Sequence, residues 1–150
     1  MNAGEVLWAW ALAAYDRPGV PEACLALQDD HGQQTAFLLW AAWADPGPAP
    51  LEQGAALARR WEGEVLGPLR TARRNMKPPM ANMDEADRMA LREEVKAIEL
   101  SAERLLMISL AALASPGAGA EARHGLTAAA RAWGDPPPPA ALESLLEALA

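Results

Sequence analysis

Hydrophobic positions recur at helical spacing along nearly the whole chain, and one stretch abandons amphipathic patterning altogether. Ala36 to Ala44 (Ala-Phe-Leu-Leu-Trp-Ala-Ala-Trp-Ala) is a run of nine consecutive apolar residues. A helix over 34–44 built on that run has no polar side, so the other helices must enclose it. Upstream, residues 4–15 read as a first helix, with Val6, Trp10 and Ala13 on one face and Trp8, Leu12 and Tyr15 on another. Arg17-Pro18-Gly19 breaks it. Pro21 suits the first turn of a second helix over 21–31, and Gly32 supplies its stop.

Downstream, Asp45 to Pro50 reads as a rigid connector. Residues 51–77 follow as a helix that Gly67-Pro68 should kink or split. Pro78-Pro79 ends it, and Asn82 or Asp84 can cap the longest helix, 84–114. There Leu91, Val95, Ile98, Ala102, Leu105 and Ser109 alternate steps of four and three, a seam suited to antiparallel packing. After Arg104 this helix is apolar all round, so its end must enter the core. A loop over 115–119 leads to an alanine-rich helix over 120–133. A stiff run, Pro136 to Pro139, precedes a last helix with Leu142, Leu145, Leu146 and Leu149 on one stripe. The expected fold is all-α: a compact single-domain bundle of five to seven helices around an apolar third helix. Residues 1–133 form the bundle, and 134–150 a proline-rich spacer with a short amphipathic helix.

Composition strengthens that reading. Thirty-five alanines and 21 leucines stand against four valines, two isoleucines and three threonines, so residues that favour pleated surfaces are scarce. A net charge of −7 argues against nucleic acid as a partner, because nonspecific affinity for it comes from neutralising phosphates. No apolar run reaches the ~20 residues that span a bilayer. The N-terminal segment carries Glu5 and no basic cluster, unlike a secretory leader. One cysteine precludes an internal disulfide. A cytoplasmic protein without membrane association is expected.

Candidate chemistry gathers in four places, none carrying a decisive catalytic motif. Cys24, Gln28 and His31 share a helix face, and Asp29 sits among them at a helix end that disfavours anions. Carboxylates beside an imidazole could transfer protons or hold a metal, but no His-x-x-x-His, Cys-x-x-Cys or Glu-x-x-His spacing is present. The joint therefore reads first as architecture, then as a polar ligand pocket with Arg17, Trp40 and Trp43, and neither a metal nor a cofactor is expected. The tryptophans read chiefly as core, with Trp40 and Trp43 marking the expected concave surface. Arg70, Arg73, Arg74 and Lys77 form a basic stripe that could meet an anion or a partner, or pair with glutamates of the long helix. The leucine stripe of the last helix could fold back on the bundle or dock on a partner protein.

Two blocks carry a resemblance. Tyr15-x-Arg17-Pro18-Gly19-Val20, then Ala23-Cys24-Leu25-x-Leu27-Gln28-Asp29-x-His31-Gly32 and Leu38-Leu39-Trp40-x-x-Trp43, resemble a proteobacterial family known as domain of unknown function 2390. Trp61-x-x-Glu64-Val65-x-x-Pro68-Leu69-Arg70-x-x-Arg73-Arg74-x-x-Lys77 is similar to that family's second block. Where the family shows Asp-Val-Asn-Leu-Leu, this chain has Gln34-Thr35-Ala36-Phe37-Leu38. The resemblance implies a small cytoplasmic bacterial helical domain and no activity. The expected function is that of a noncatalytic interaction protein, an adaptor or regulator. The alternative is a small-molecule-binding domain or enzyme centred on Gln28, Asp29 and His31 beside Trp40.

Overall fold

Local chemistry sets the end of each helix. The computed structural model describes all 150 residues, as helices and connecting turns without strands. Helix α1 (Ala3–Tyr15) opens with a capping box in which Asn2 and Glu5 each accept the other's backbone N–H at 2.9 Å. Helix α2 (Val20–His31) ends at Gly32, whose φ of 64° is left-handed and suits glycine. Helix α3 (Thr35–Ala44) is capped by the Gln34 side chain, which accepts the Phe37 N–H at 2.7 Å.

Helix α4 (Pro48–Trp61) starts earlier than expected. The connector shrinks to Asp45–Gly47 because prolines in a first turn give up N–H groups that would lack partners anyway. Gly67-Pro68 does not split the helix that follows. Pro68 has no N–H to offer the carbonyl four residues back, and the turn widens into a π-helix over Glu62–Leu66, with the Gly67 N–H on the Glu62 carbonyl. A Cβ on Gly67 would sit 2.8 Å from that oxygen. Helix α5 (Gly67–Asn75) continues the same rod. Then come α6 (Glu85–Leu113), capped by Asp84, α7 (Ala122–Trp133) and α8 (Pro139–Leu149). With α4, the π turn and α5 joined, the chain forms seven helical rods.

The third helix is the hub, as its pattern demanded. It touches α1, α2, α4, α6 and α7, and Phe37 through Ala41 are wholly buried. Close backbone approach makes this possible. Gly54 leaves room for the Trp40 indole, whose ring a Cβ there would meet at 2.6 Å. Gly125 brings α7 against α3, where an added Cβ would lie 2.0 Å from the Ala41 carbonyl oxygen. Trp40 Nε1 donates to the Ala114 carbonyl at 3.0 Å, so the one polar atom of the central indole is satisfied.

The last helix folds back. Leu142 and Leu145 are buried against the body, Leu146 and Leu149 pack beside them, and Arg17 donates to the Leu149 carbonyl. Of the two outcomes open to it, folding back on the bundle or docking on a partner, the leucine stripe takes the first. Its footing is α2, whose small Ala23 and Ala26 let α8 approach.

One part of the chain departs from this plan. Helix α5, the turn after it and the first half of α6 form a two-helix arm. Between Leu66 and Ala102 the only buried residue is Arg88. No helix is long and apolar enough to cross a membrane.

Candidate functional site

The Gln28–His31 corner does not open into a hollow. Asp29 lies on the surface, its side chain 44% exposed, and pairs with Arg74 at 3.6 Å across from α5. His31 makes no side-chain hydrogen bond within the chain, and Arg17 is committed to the tail. Trp40 is sealed in the core, and Trp43 packs half-buried on its edge. The residues that the alternative reading gathered into one pocket thus occupy different places. The reason is rotational: Cys24 and Gln28 turn toward α1 and α6, whereas Asp29 points a quarter-turn away toward α5.

What Cys24 and Gln28 do face is a polar seam. With Tyr15, Pro21, Leu25, Thr35 and Glu103 they line a shallow recess of about 130 Å³. Burial, then the nearby Cys24 and Glu103, holds the Tyr15 phenol far above its ordinary range, opposed by the Thr35 hydroxyl. Burial likewise pushes the Cys24 thiol up to about 11, so it is protonated and unreactive. Glu103 is raised by burial first, with Arg70 lowering it and Glu99 and Glu62 raising it.

Behind the recess, Arg70 meets Glu62 at 2.9 Å and Arg73 meets Glu99 at 2.5 Å. Three carboxyls therefore share two guanidinium groups, and one buried oxygen of Glu62 has no partner. Burial and the neighbouring Glu99 and Glu62 disfavour the charged form of Glu103, against the pull of Arg70 and Arg73. Of the two readings of the basic stripe, a binding surface or pairing within the chain, Arg70 and Arg73 follow the second: Arg73 meets Glu99 of the long helix, and Arg70 meets Glu62 of its own rod. Arg74 is spent on Asp29, and only Lys77 remains free. The cluster is missed in sequence because Tyr15, Thr35, Glu62 and Glu103 come from four separate elements. No group of three or more His, Cys, Asp or Glu side chains is arranged to hold a metal ion.

The arm and the turn of α6 just beyond it carry the most prominent unpartnered feature. The expected α6 seam is divided lengthwise: Ala102 is buried and Val95 half-buried, whereas Leu91, Ile98 and Leu105 face solvent. These three are 50%, 54% and 52% exposed and fall at seven-residue steps, two turns apart, along one ridge. Isolated exposed leucines are ordinary; three at heptad spacing are not. Met80 and Met83 are exposed at the tip of the same arm.

Residues 6–110 match the family model described as protein of unknown function (DUF2390). The chain belongs to the DUF2390 family. No curated protein and no solved structure matches it. The DUF2390 segment contains both the polar seam and the arm, while α7 and α8 lie beyond it. Those two helices and Pro136–Pro139 bound the largest concavity, an open groove of about 650 Å³. Its rim holds Arg123, bonded twice to Glu143 at 2.5 and 2.8 Å, and the exposed Arg131.

Proposed function

We propose that this DUF2390 protein is a noncatalytic adaptor or regulator of the bacterial cytoplasm, working by docking through its α5–α6 arm. The observation that carries the reading is the Leu91–Ile98–Leu105 ridge, which spends three large aliphatic side chains on solvent. Burying each of them against a partner would contribute about 1.5–3 kcal/mol. A helical partner surface offering aliphatic side chains at matching steps is the chemistry the ridge suits. A single buried, protonated thiol fits a reducing compartment.

The small-molecule reading has less support. Gln28, Asp29 and His31 do not converge, and about 130 Å³ is well short of the ~300 Å³ at which ligand pockets begin.

Site-specific photo-crosslinking in the native host tests the docking reading. A photoreactive residue at position 98 is expected to give a discrete covalent adduct, and one at the exposed Asp16 on the body is not. Equal labelling from both positions, or none from 98, overturns it.

A further inference from the structure

We infer that the arm's partner is a second copy of this chain, paired antiparallel along α6; this rests on the docking reading above. The ridge is symmetric about Ile98. Leu91 and Leu105 lie seven residues to either side, roughly 10.5 Å along the helix axis. A two-fold axis through Ile98 therefore sets Leu91 of one copy opposite Leu105 of the other and Ile98 against itself. Self-complementarity of this kind is what a closed two-fold contact requires.

Charge points the same way. Glu94 and Arg104 are exposed, and neither is in an ion pair within the chain, although Glu93, Arg92 and Lys96 between them are linked to one another. At about 100° per residue, both fall on the same side of the ridge. They sit four residues before and six residues after Ile98. In the antiparallel pair, Glu94 of each copy comes within about 3 Å, along the axis, of Arg104 of the other. One symmetric docking thus pairs Glu94 with Arg104 twice over, and leaves Asp87, also exposed and unpaired beside the ridge, opposite Ser109 of the other copy. The arm is also almost neutral, with seven basic and six acidic residues over 67–101, so the acidity of the molecule is carried by the body and not by this surface.

Sedimentation equilibrium on the full chain over a range of concentrations reads the association directly. The expected mass is twice the 16.0 kDa of one chain. Ile98→Lys should return it to one chain that still unfolds cooperatively, since that side chain is outside the core. If Ile98→Lys fails to fold, Leu91→Lys serves the same purpose at the ridge's end. Glu94→Arg should weaken association about tenfold or more, and adding Arg104→Glu to it should restore the wild-type affinity.

A single-chain mass at every concentration overturns the inference, as does a dimer that persists in the folded lysine variants. Failure of the double swap to restore affinity overturns the antiparallel pairing. A monomer whose position-98 crosslinks capture a different protein defeats the second copy and leaves the docking reading standing. A monomer with no crosslink defeats both.

Discussion

The body and the arm of this molecule draw on the same residue types and are held by different forces. In the body, apolar burial does the holding: α3 is enclosed on all sides, and its glycine-lined contacts with α4 and α7 bring backbones together. In the arm, hydrogen bonds to a helix end take that role. Arg88 Nε donates to the Met76 carbonyl at 2.9 Å and Arg92 Nε to the Arg73 carbonyl at 3.3 Å. Arg88 thus takes up a carbonyl that the end of α5 leaves without a helical partner, and Arg92 shares the Arg73 carbonyl with the Met76 N–H. The Arg73–Glu99 pair and the Trp61 Nε1 bond to the Ala102 carbonyl, at 3.0 Å, fix the arm's root. Two helices can thus be aligned by polar clasps with almost no core between them, and the apolar positions left over remain free for another surface.

The contrast can be broken most forcefully in the body. Gly125→Ala places a methyl group into the Ala41 carbonyl, and backbone cannot give way as a side chain tip can. A loss of about 3 kcal/mol or more in unfolding free energy is expected from denaturant titration; a near-wild-type midpoint would show that α3 and α7 are less tightly joined than described.

Arg88→Ala should cost less, about 1–3 kcal/mol, by freeing the Met76 carbonyl. Its mark should be local: faster amide exchange over 75–90 with α3 unchanged. Uniform acceleration across the molecule would mean that arm and body unfold as one unit.

The smallest effect belongs to the seam between them. Burial holds Glu103 above its ordinary 4.5, so the folded state binds its proton more tightly than the unfolded state does. Its stabilising contribution is complete below 4.5 and is lost as pH rises through the raised folded value. Glu103→Gln should therefore melt higher than wild type at neutral pH, with the gap closing toward acid. Parallel pH profiles would place Glu103 in water instead.

Much of the body was legible in sequence, because its signals are local. Nine apolar residues in a row leave α3 no place but the centre, and Gly32 marks the end of α2 by its own conformational preference, as Asp84 marks the start of α6 in the arm by its hydrogen bonding. What escaped depends on partners distant in the chain. The α6 repeat of fours and threes announces a seam without saying which half faces inward, and α5 is too short to cover it all. The tail leucines announce an apolar stripe, but the footing on Ala23 and Ala26 has no matching signature. Pairing of Arg73 with a glutamate of the long helix was among the readings of its stripe, whereas the turn of Arg70 to Glu62 was not, because the burial of Glu62 and Glu103 is set by how four elements meet and not by any spacing. The Gly67-Pro68 break was visible, whereas its resolution as a widened turn depends on the Glu62 carbonyl finding the Gly67 N–H.

That widened turn has a consequence for where the arm points. It takes up one residue more than the ordinary helical repeat, and each residue of helix is worth about 100° of rotation. The π turn therefore fixes the compass bearing of α5, and through α5 that of the ridge on α6. A one-codon deletion over 62–66 would re-aim the arm by about a quarter-turn and leave the hub untouched. Among relatives, insertions and deletions at this hinge offer a route by which one body could present the same face in new directions.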